Sequence, residues 1–280
     1  MRPNIKHTAS LTVFMKSLWL VSLFLMFITP SMANSITEFG FQHDADNEQV
    51  IDHSAWQNLL SEFVMEAEDG VNRVNYAQFK GENYKELEDY LDFLQSTKVS
   101  ELNQNEQLAY WINFYNALTV KVILDHYPVE SIKEISFSLF SFGPWSEELV
   151  VVEGYELSLD DIEHNIIRPV FQDSRIHYAV NCAAIGCPNL QNTAFTSTNL
   201  NQMMDKAARA FVNHPRGIRL TDDGLVISSL FHWYRDDFEL EDGGLIKHFS
   251  RFADPELKLK LAEGPDIDGH EYDWSLNSDS

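Results

Sequence analysis

The sequence predicts an α+β fold: a helix-rich single domain around a small, mainly antiparallel sheet. Apolar residues recur at i, i+3, i+4 and i+7 in several separate segments. Short alternating runs pair across tight turns as hairpins. Neither an internal repeat nor a low-complexity linker divides the chain. Helices broken by hairpins fit this class better than a doubly wound sheet, in which strands and helices alternate regularly.

The elements follow in order. Residues 1–33 read as an export signal, with three basic and no acidic residues, an apolar core from Leu18 to Ile28, and Ser31-Met32-Ala33 as a small-x-small cleavage pattern. Met1 and Met15 both stay open as translation starts. Pro30 and the short apolar core separate this segment from a membrane anchor, and no cysteine near Ala33 offers a lipid attachment point. The expected location is therefore periplasmic or secreted, with no membrane contact after cleavage. Residues 34–53, polar and acidic, read as a flexible lead-in to a single globular domain over 54–277.

Within that domain Ser54 caps a helix with Trp56, Leu59, Leu60, Phe63 and Val64 on one face. Asp69-Gly70 introduces an extended run through Val71, Val74 and Tyr76. Leu87, Leu91 and Leu94 mark the next helix. A longer one runs from about Asn105 to Tyr127, opened by an Asn103/Glu106 capping box and closed by Pro128. It is apolar nearly all round and therefore buried, yet it carries Asn113 and Asn116 three apart on one face. An aromatic loop, Phe137 to Trp145, precedes a hairpin over Leu149–Leu157. Ser158 with Asp161 caps a helix carrying Glu163 and His164, which Pro169 is expected to stop. Adjacent residues on a helix point about 100° apart, so those two side chains are not expected to share one site. Beyond residue 190 come an amphipathic helix with Met203 and Met204 in its core face, a hairpin across Asp223-Gly224, further helical segments to about Glu263, and a loop to a tail ending near Asn277.

Composition narrows the function. The chain has 280 residues and a formal net charge of −23, and the expected leader holds none of the acidic groups. Phosphate backbones need clustered Lys and Arg, so nucleic acid is not an expected partner. Hydrophobic residues make up 44% and aromatic residues 12%, enough for a buried core and too much for wholesale disorder. The unidentified partner is therefore a small molecule or a peptide.

The chemistry concentrates between Asp173 and Leu190. This stretch holds the only two cysteines, Cys182 and Cys187. Arg175, His177 and Asn181 share one parity and Ile176, Tyr178 and Val180 the other, which predicts a central strand with a polar stripe. Gly186 and Pro188 end it. Outside the cytosol two nearby cysteines are first a disulfide candidate, although closing so short a loop would stabilise by only about 2 kcal/mol in the chain-entropy model.

Five stretches together resemble the domain-of-unknown-function family 547. They are Ala109–Leu118, Ser158–His164, Arg175–Cys182 with Gly186-Cys187-Pro188, Trp233–Phe238, and Tyr272–Leu276. The resemblance covers roughly Ser54 to Asn277 and implies one globular domain in its exported bacterial form, with no activity attached. Some relatives carry this domain beside a glutaredoxin-like one, which points toward thiol chemistry. The block order is also loosely similar to a papain/transglutaminase-type fold: a buried helix, a strand bearing a histidine, then a polar residue. In such folds the helix carries the nucleophile; here Asn113 and Asn116 occupy that region.

Two functions from different classes follow. The first is an exported enzyme acting on an amide, ester or thiol substrate, with Cys182 or Cys187 as the nucleophile, His177 as base, and Asn181 or Glu163 orienting that base. Parity requires the strand to end near Asn181 if Cys182 is to swing toward His177. The second is a non-catalytic binding module whose pocket is lined by Arg175, His177, Asn113, Asn116, Trp111 and the aromatic loop, with Cys182–Cys187 as a structural disulfide. No cofactor and no metal are expected: there is no His-Glu-x-x-His, Cys-x-x-Cys, Gly-x-Gly-x-x-Gly or Walker pattern, and no Gly-x-Ser-x-Gly elbow. The acidic pairs Asp160-Asp161 and Asp236-Asp237 read as helix-start or surface charges.

Overall fold

The structure, a computed structural model, describes residues 32–137, 143–222 and 224–279. The expected leader up to residue 31 and the middle of the aromatic loop lie outside them. The fold is helix-rich α+β, as the apolar spacing predicts. Among the described residues the strands form three small sheets: β1 (Val64–Glu66) with β2 (Asn72–Val74), β3 (Val150–Val152) with β4 (Tyr155–Leu157), and β5 (Ile218–Leu220) with β6 (Leu225–Ser228) and β7 (Ile267–Glu271). The pairings are antiparallel except β6–β7, which is parallel.

The middle of the molecule is α5 (Gln104–His126), buried on every side between Leu108 and Leu124 except at Lys121. Asn103 caps it, its side chain accepting the Glu106 N–H at 3.1 Å. The flanking helices α2 (Ser54–Phe63), α3 (Tyr76–Glu82) and α4 (Tyr84–Ser96) complete the first apolar cluster around it. A second cluster gathers α7 (Leu200–Val212), α8 (Ser229–Trp233), α9 (Arg235–Asp242), α10 (Leu245–Phe252), α11 (Pro255–Ala262) and the third sheet around Tyr178, Phe231 and Phe249.

Four local expectations are corrected. Tyr76, read as extended, opens α3, because Asn75 accepts the Gln78 N–H and starts a helix there. The segment read as a flexible lead-in contains α1 (Met32–Gly40), whose Ile36 and Phe39 are buried, with Phe39 stacked on Tyr155 at 4.5 Å. Pro169 does not stop its helix. The chain forms a π-helix over Asp161–Ile167 and continues as α6 (Arg168–Phe171), so Pro169 falls in the first turn of α6, where a missing N–H is tolerated. The fourth correction concerns the central stretch. Residues Ser174–Tyr178 form a 3-10 helix and have no ladder partner among the described residues. Asp173 is the cause: its carboxylate accepts the Arg175 N–H at 2.9 Å and holds the Arg175 guanidinium at 2.6 Å, folding the chain into a turn. The histidine-bearing strand of the papain-like block order is thus a helical turn. Among the described residues no helix is long and apolar enough to cross a membrane.

Candidate functional site

Past Tyr178 the chain turns, and Cys182 to Cys187 forms a short loop pinned from both sides. From the α5 side, Asn116 takes the Ala179 carbonyl (2.9 Å) and the Asn181 N–H (2.8 Å). From the other side comes the C-terminal tail: the N–H groups of Ile185 and Gly186 donate to Ser275 and Asp273, both at 2.8 Å, and Asn277 N–H donates to Ala183 O at 3.1 Å. Ala183 has φ of +59°, a left-handed backbone that costs a non-glycine residue about 1–2 kcal/mol. Its N–H is satisfied by Asn181 Oδ1 at 2.9 Å.

This loop brings the two sulfurs together. Both cysteines are free thiols, with the Cys182 S–H directed at Cys187 Sγ at 2.9 Å. Cys182 N–H also donates to Cys187 Sγ, at 3.0 Å, and Tyr272 Oη lies 3.0 Å from Cys182 Sγ. These donors set the protonation. Burial raises the Cys187 thiol, but hydrogen bonds from the Cys182 thiol, the Tyr272 hydroxyl and the Cys182 N–H, together with the Arg216 charge, outweigh it and leave Cys187 below its ordinary value. Cys182 moves the other way, its proton held by Cys187 and by burial. Tyr272 is kept protonated, chiefly by burial, and serves as a donor. Arg216 is itself pushed down to about 10 by burial.

Both sulfurs lie in the wall of a cavity of about 310 Å³, which His177, Glu163, His164 and Tyr234 also line. His177 is buried and ring-stacked on Tyr234 at 4.1 Å. Its Nε2 lies 2.7 Å from Asp237 Oδ2, and Arg168 donates to the same carboxylate through Nε at 2.7 Å and Nη2 at 3.1 Å. Burial would raise the Asp237 carboxyl, yet the His177 and Arg168 hydrogen bonds and charges hold it well below the usual range. His177 Nδ1 is buried without a hydrogen bond, 4.0 Å from Glu163 Oε1. Glu163 sits on the π-helix, an irregularity frequent at functional sites. Burial, the Glu163 charge and a hydrogen bond to Glu163 push the Tyr234 phenol up. Burial also raises the Asp160 carboxyl; His164 opposes this, and Glu163 and Asp161 add to it.

The stretch singled out in the sequence thus divides. His177, Cys182 and Glu163 meet at the cavity, with Cys187 beside them. Cys182 does swing round, as the turn required, but the hydrogen bond of His177 goes to Asp237 and not to a sulfur. Asn181 does not orient His177: its amide spans the loop, donating to Pro188 O at 2.7 Å. Arg175 points away, to Asp173, Asp205 and Asn201. Asn113 clamps Phe195 through both its N–H and its carbonyl, and Trp111 is core, stacked on Phe114. These four, with Asn116, lie outside the cavity wall. His164 and Glu163 do share the cavity, since Glu163 is buried in its wall while His164, about a third exposed, reaches it from the rim. Asp237, read as a surface charge, is a half-buried partner of His177. Tyr272, Trp233, Tyr234 and Trp274 also escaped the functional reading, although they stand in the stretches that carry the family resemblance.

No curated protein and no solved structure matches this chain. A family model does: residues 99–212, a span that includes Glu163, His177, Cys182 and Cys187, match the family described as protein of unknown function, DUF547.

Proposed function

We propose that the cavity is the active site of an exported thiol enzyme that exchanges the disulfide of a small substrate with the Cys182–Cys187 dithiol. The observation that carries this reading is the sulfur pair: Cys187 Sγ, 2.9 Å from Cys182 Sγ, supplied with N–H, S–H and O–H donors in the wall of a substrate-sized cavity. Thiolates, not thiols, attack disulfides. The Cys187 thiolate attacks one sulfur of R–S–S–R′. A Cys187–S–S–R bond forms, the substrate S–S bond breaks, and R′S⁻ leaves and takes a proton from solvent. Cys182 then gives up its proton, its sulfur attacks Cys187 Sγ, and RS⁻ leaves and receives that proton. The substrate gains two electrons and the dithiol loses two; a substrate dithiol running the exchange backwards restores the pair. His177, its ring fixed by Asp237 through Nε2, presents Nδ1 as the group that passes the Cys182 proton to the leaving RS⁻. Location outside the cytosol is part of the proposal and rests on the leader-like N-terminal sequence.

One observation favours a second reading, acyl transfer from an amide or ester to Cys187: the Asp237–His177 pair has the form of an oriented base. Against it stands the lack of a hydrogen bond from His177 to either sulfur. The two separate when the reduced protein meets 2-hydroxyethyl disulfide, a neutral probe. Exchange forms the Cys182–Cys187 disulfide in the native chain and traps a mixed disulfide on Cys187 in Cys182→Ser. Absence of both products, with the fold intact, would contradict exchange and leave the acyl-transfer and binding-module readings in its place.

A further inference from the structure

We infer that the cavity is built for the cationic ammonium group of its substrate; the inference rests on the exchange reading for the word substrate, and on the cavity alone for the ligand class. Among the described residues the wall holds two carboxylates, Asp160 and Glu163, and no lysine or arginine. The salt-bridge partners of Glu163 are His164 at 3.8 Å and His177 at 4.0 Å; Arg168 acts on it only from beyond salt-bridge distance. Arg168, the nearest fixed cation on that helix, is committed to Asp237.

Beyond the histidines and cysteines much of the remaining wall is aromatic, with Ser146, Val180 and Leu230 beside the rings. Trp274 meets Trp145 at 5.7 Å, inclined by 68°, and Trp233 at 5.7 Å, inclined by 31°, and Lys133 Nζ already lies 5.0 Å from the Trp274 ring centroid. Trp233 is 46% exposed, so part of its ring is open to a ligand. Trp145 stands over Gly143, where a Cβ would lie 1.9 Å from its ring; only glycine leaves that ring its place. Indole faces beside a carboxylate attract an alkylammonium group through the ring quadrupole and the charge together. A neutral sugar or an aromatic ligand would use the rings but leave Glu163 without a counter-charge, and an anion would be repelled.

The test uses the full chain as Cys182→Ser/Cys187→Ser, so that binding is read without thiol chemistry. Choline and its uncharged isostere 3,3-dimethylbutan-1-ol are titrated while tryptophan fluorescence is followed. Choline should bind saturably and at least about tenfold tighter than the isostere. Glu163→Gln and Trp233→Leu should each remove most of that preference. Trp233 is exposed, so its variant keeps the fold even if Glu163→Gln does not. Equal affinity for the two probes, or no saturable signal from choline, overturns the inference. With the thiols intact, the dication cystamine should oxidise the cysteine pair at least about tenfold faster than the dianion of dithiodiglycolic acid. If neither disulfide reacts while choline still binds, the exchange reading fails and the ammonium site stands. If both react equally and choline does not bind, the reverse holds.

Discussion

His53 shows how much a single buried side chain can set. It is buried at the start of α2 with Nδ1 2.7 Å from Tyr90 Oη and Nε2 unpartnered. Burial pushes the imidazole down to about 4, and Asp52 beside it opposes only in part. An unfolded histidine takes up its proton near 6.5. Between those values the unfolded chain binds a proton that the native chain refuses. Stability is therefore full above about pH 6.5 and falls as pH drops toward 4, by about 3 kcal/mol in all. Urea midpoints for His53→Leu should show a flatter profile than the native protein across that window; an identical slope would contradict the account. Asp237 acts lower on the scale: its depressed carboxyl stabilises above the ordinary carboxylate range, and that contribution is lost only as pH falls below it. At this scale the sequence was legible in part. The buried amides Asn113 and Asn116 were visible as polar residues on an apolar helix, and most such amides bond to backbone. These do, clamping Phe195 and the Ala179–Asn181 turn. Which backbone they would reach depended on the path of a chain more than sixty residues away, which spacing does not encode.

Among the elements, the failed strand and the unforeseen π-helix are linked to the site. Alternating parity over Arg175–Asn181 is genuine, but a strand needs a ladder partner, whereas Asp173 offers Arg175 both a backbone and a side-chain bond within two residues. Local bonds won over a periodicity that has no neighbour to pair with. The helix over Ser158–His164 was legible from its capping box, which forms with Asp161 N–H on Ser158 Oγ at 3.0 Å. Its π-turn, whose Arg168 N–H reaches back to Glu163 O, leaves no mark in composition. The cysteine loop depends on an element far along the chain. At Gly186 a Cβ would lie 2.7 Å from Asp273 N and 2.9 Å from Asp273 O, both backbone atoms that cannot swing aside. Gly186→Ala should therefore lift the tail from the loop, lower stability by about 1–3 kcal/mol, and withdraw Tyr272 from the sulfurs. Thermal melts together with the pH profile of Cys187 alkylation check this. A variant that melts as the native protein does and keeps that profile would show that the tail does not set the thiol.

For the whole molecule, the cavity draws its wall from both apolar clusters: Tyr115 and Val180 belong to the one around α5, Leu230 and Tyr272 to the other. Helix-rich α+β architecture could be read from periodicity because each element reports its own buried face. The site could be read only as far as its residues were neighbours in sequence. His177, Cys182 and Cys187 were; Asp237 and Tyr272, sixty and ninety positions from their partners, were not. The central claim is that this convergence makes Cys187 the reactive thiolate of the pair. Alkylation of the reduced native protein by iodoacetamide, resolved by peptide mapping and followed from about pH 5 to 10, tests it most directly, since only the thiolate reacts and an ordinary thiol titrates near 8.5. The account predicts that Cys187 is labelled before Cys182, with a midpoint below the ordinary thiol value that rises in Tyr272→Phe. Cys182 labelled first, or a Cys187 that stays unlabelled until the protein unfolds, would contradict it.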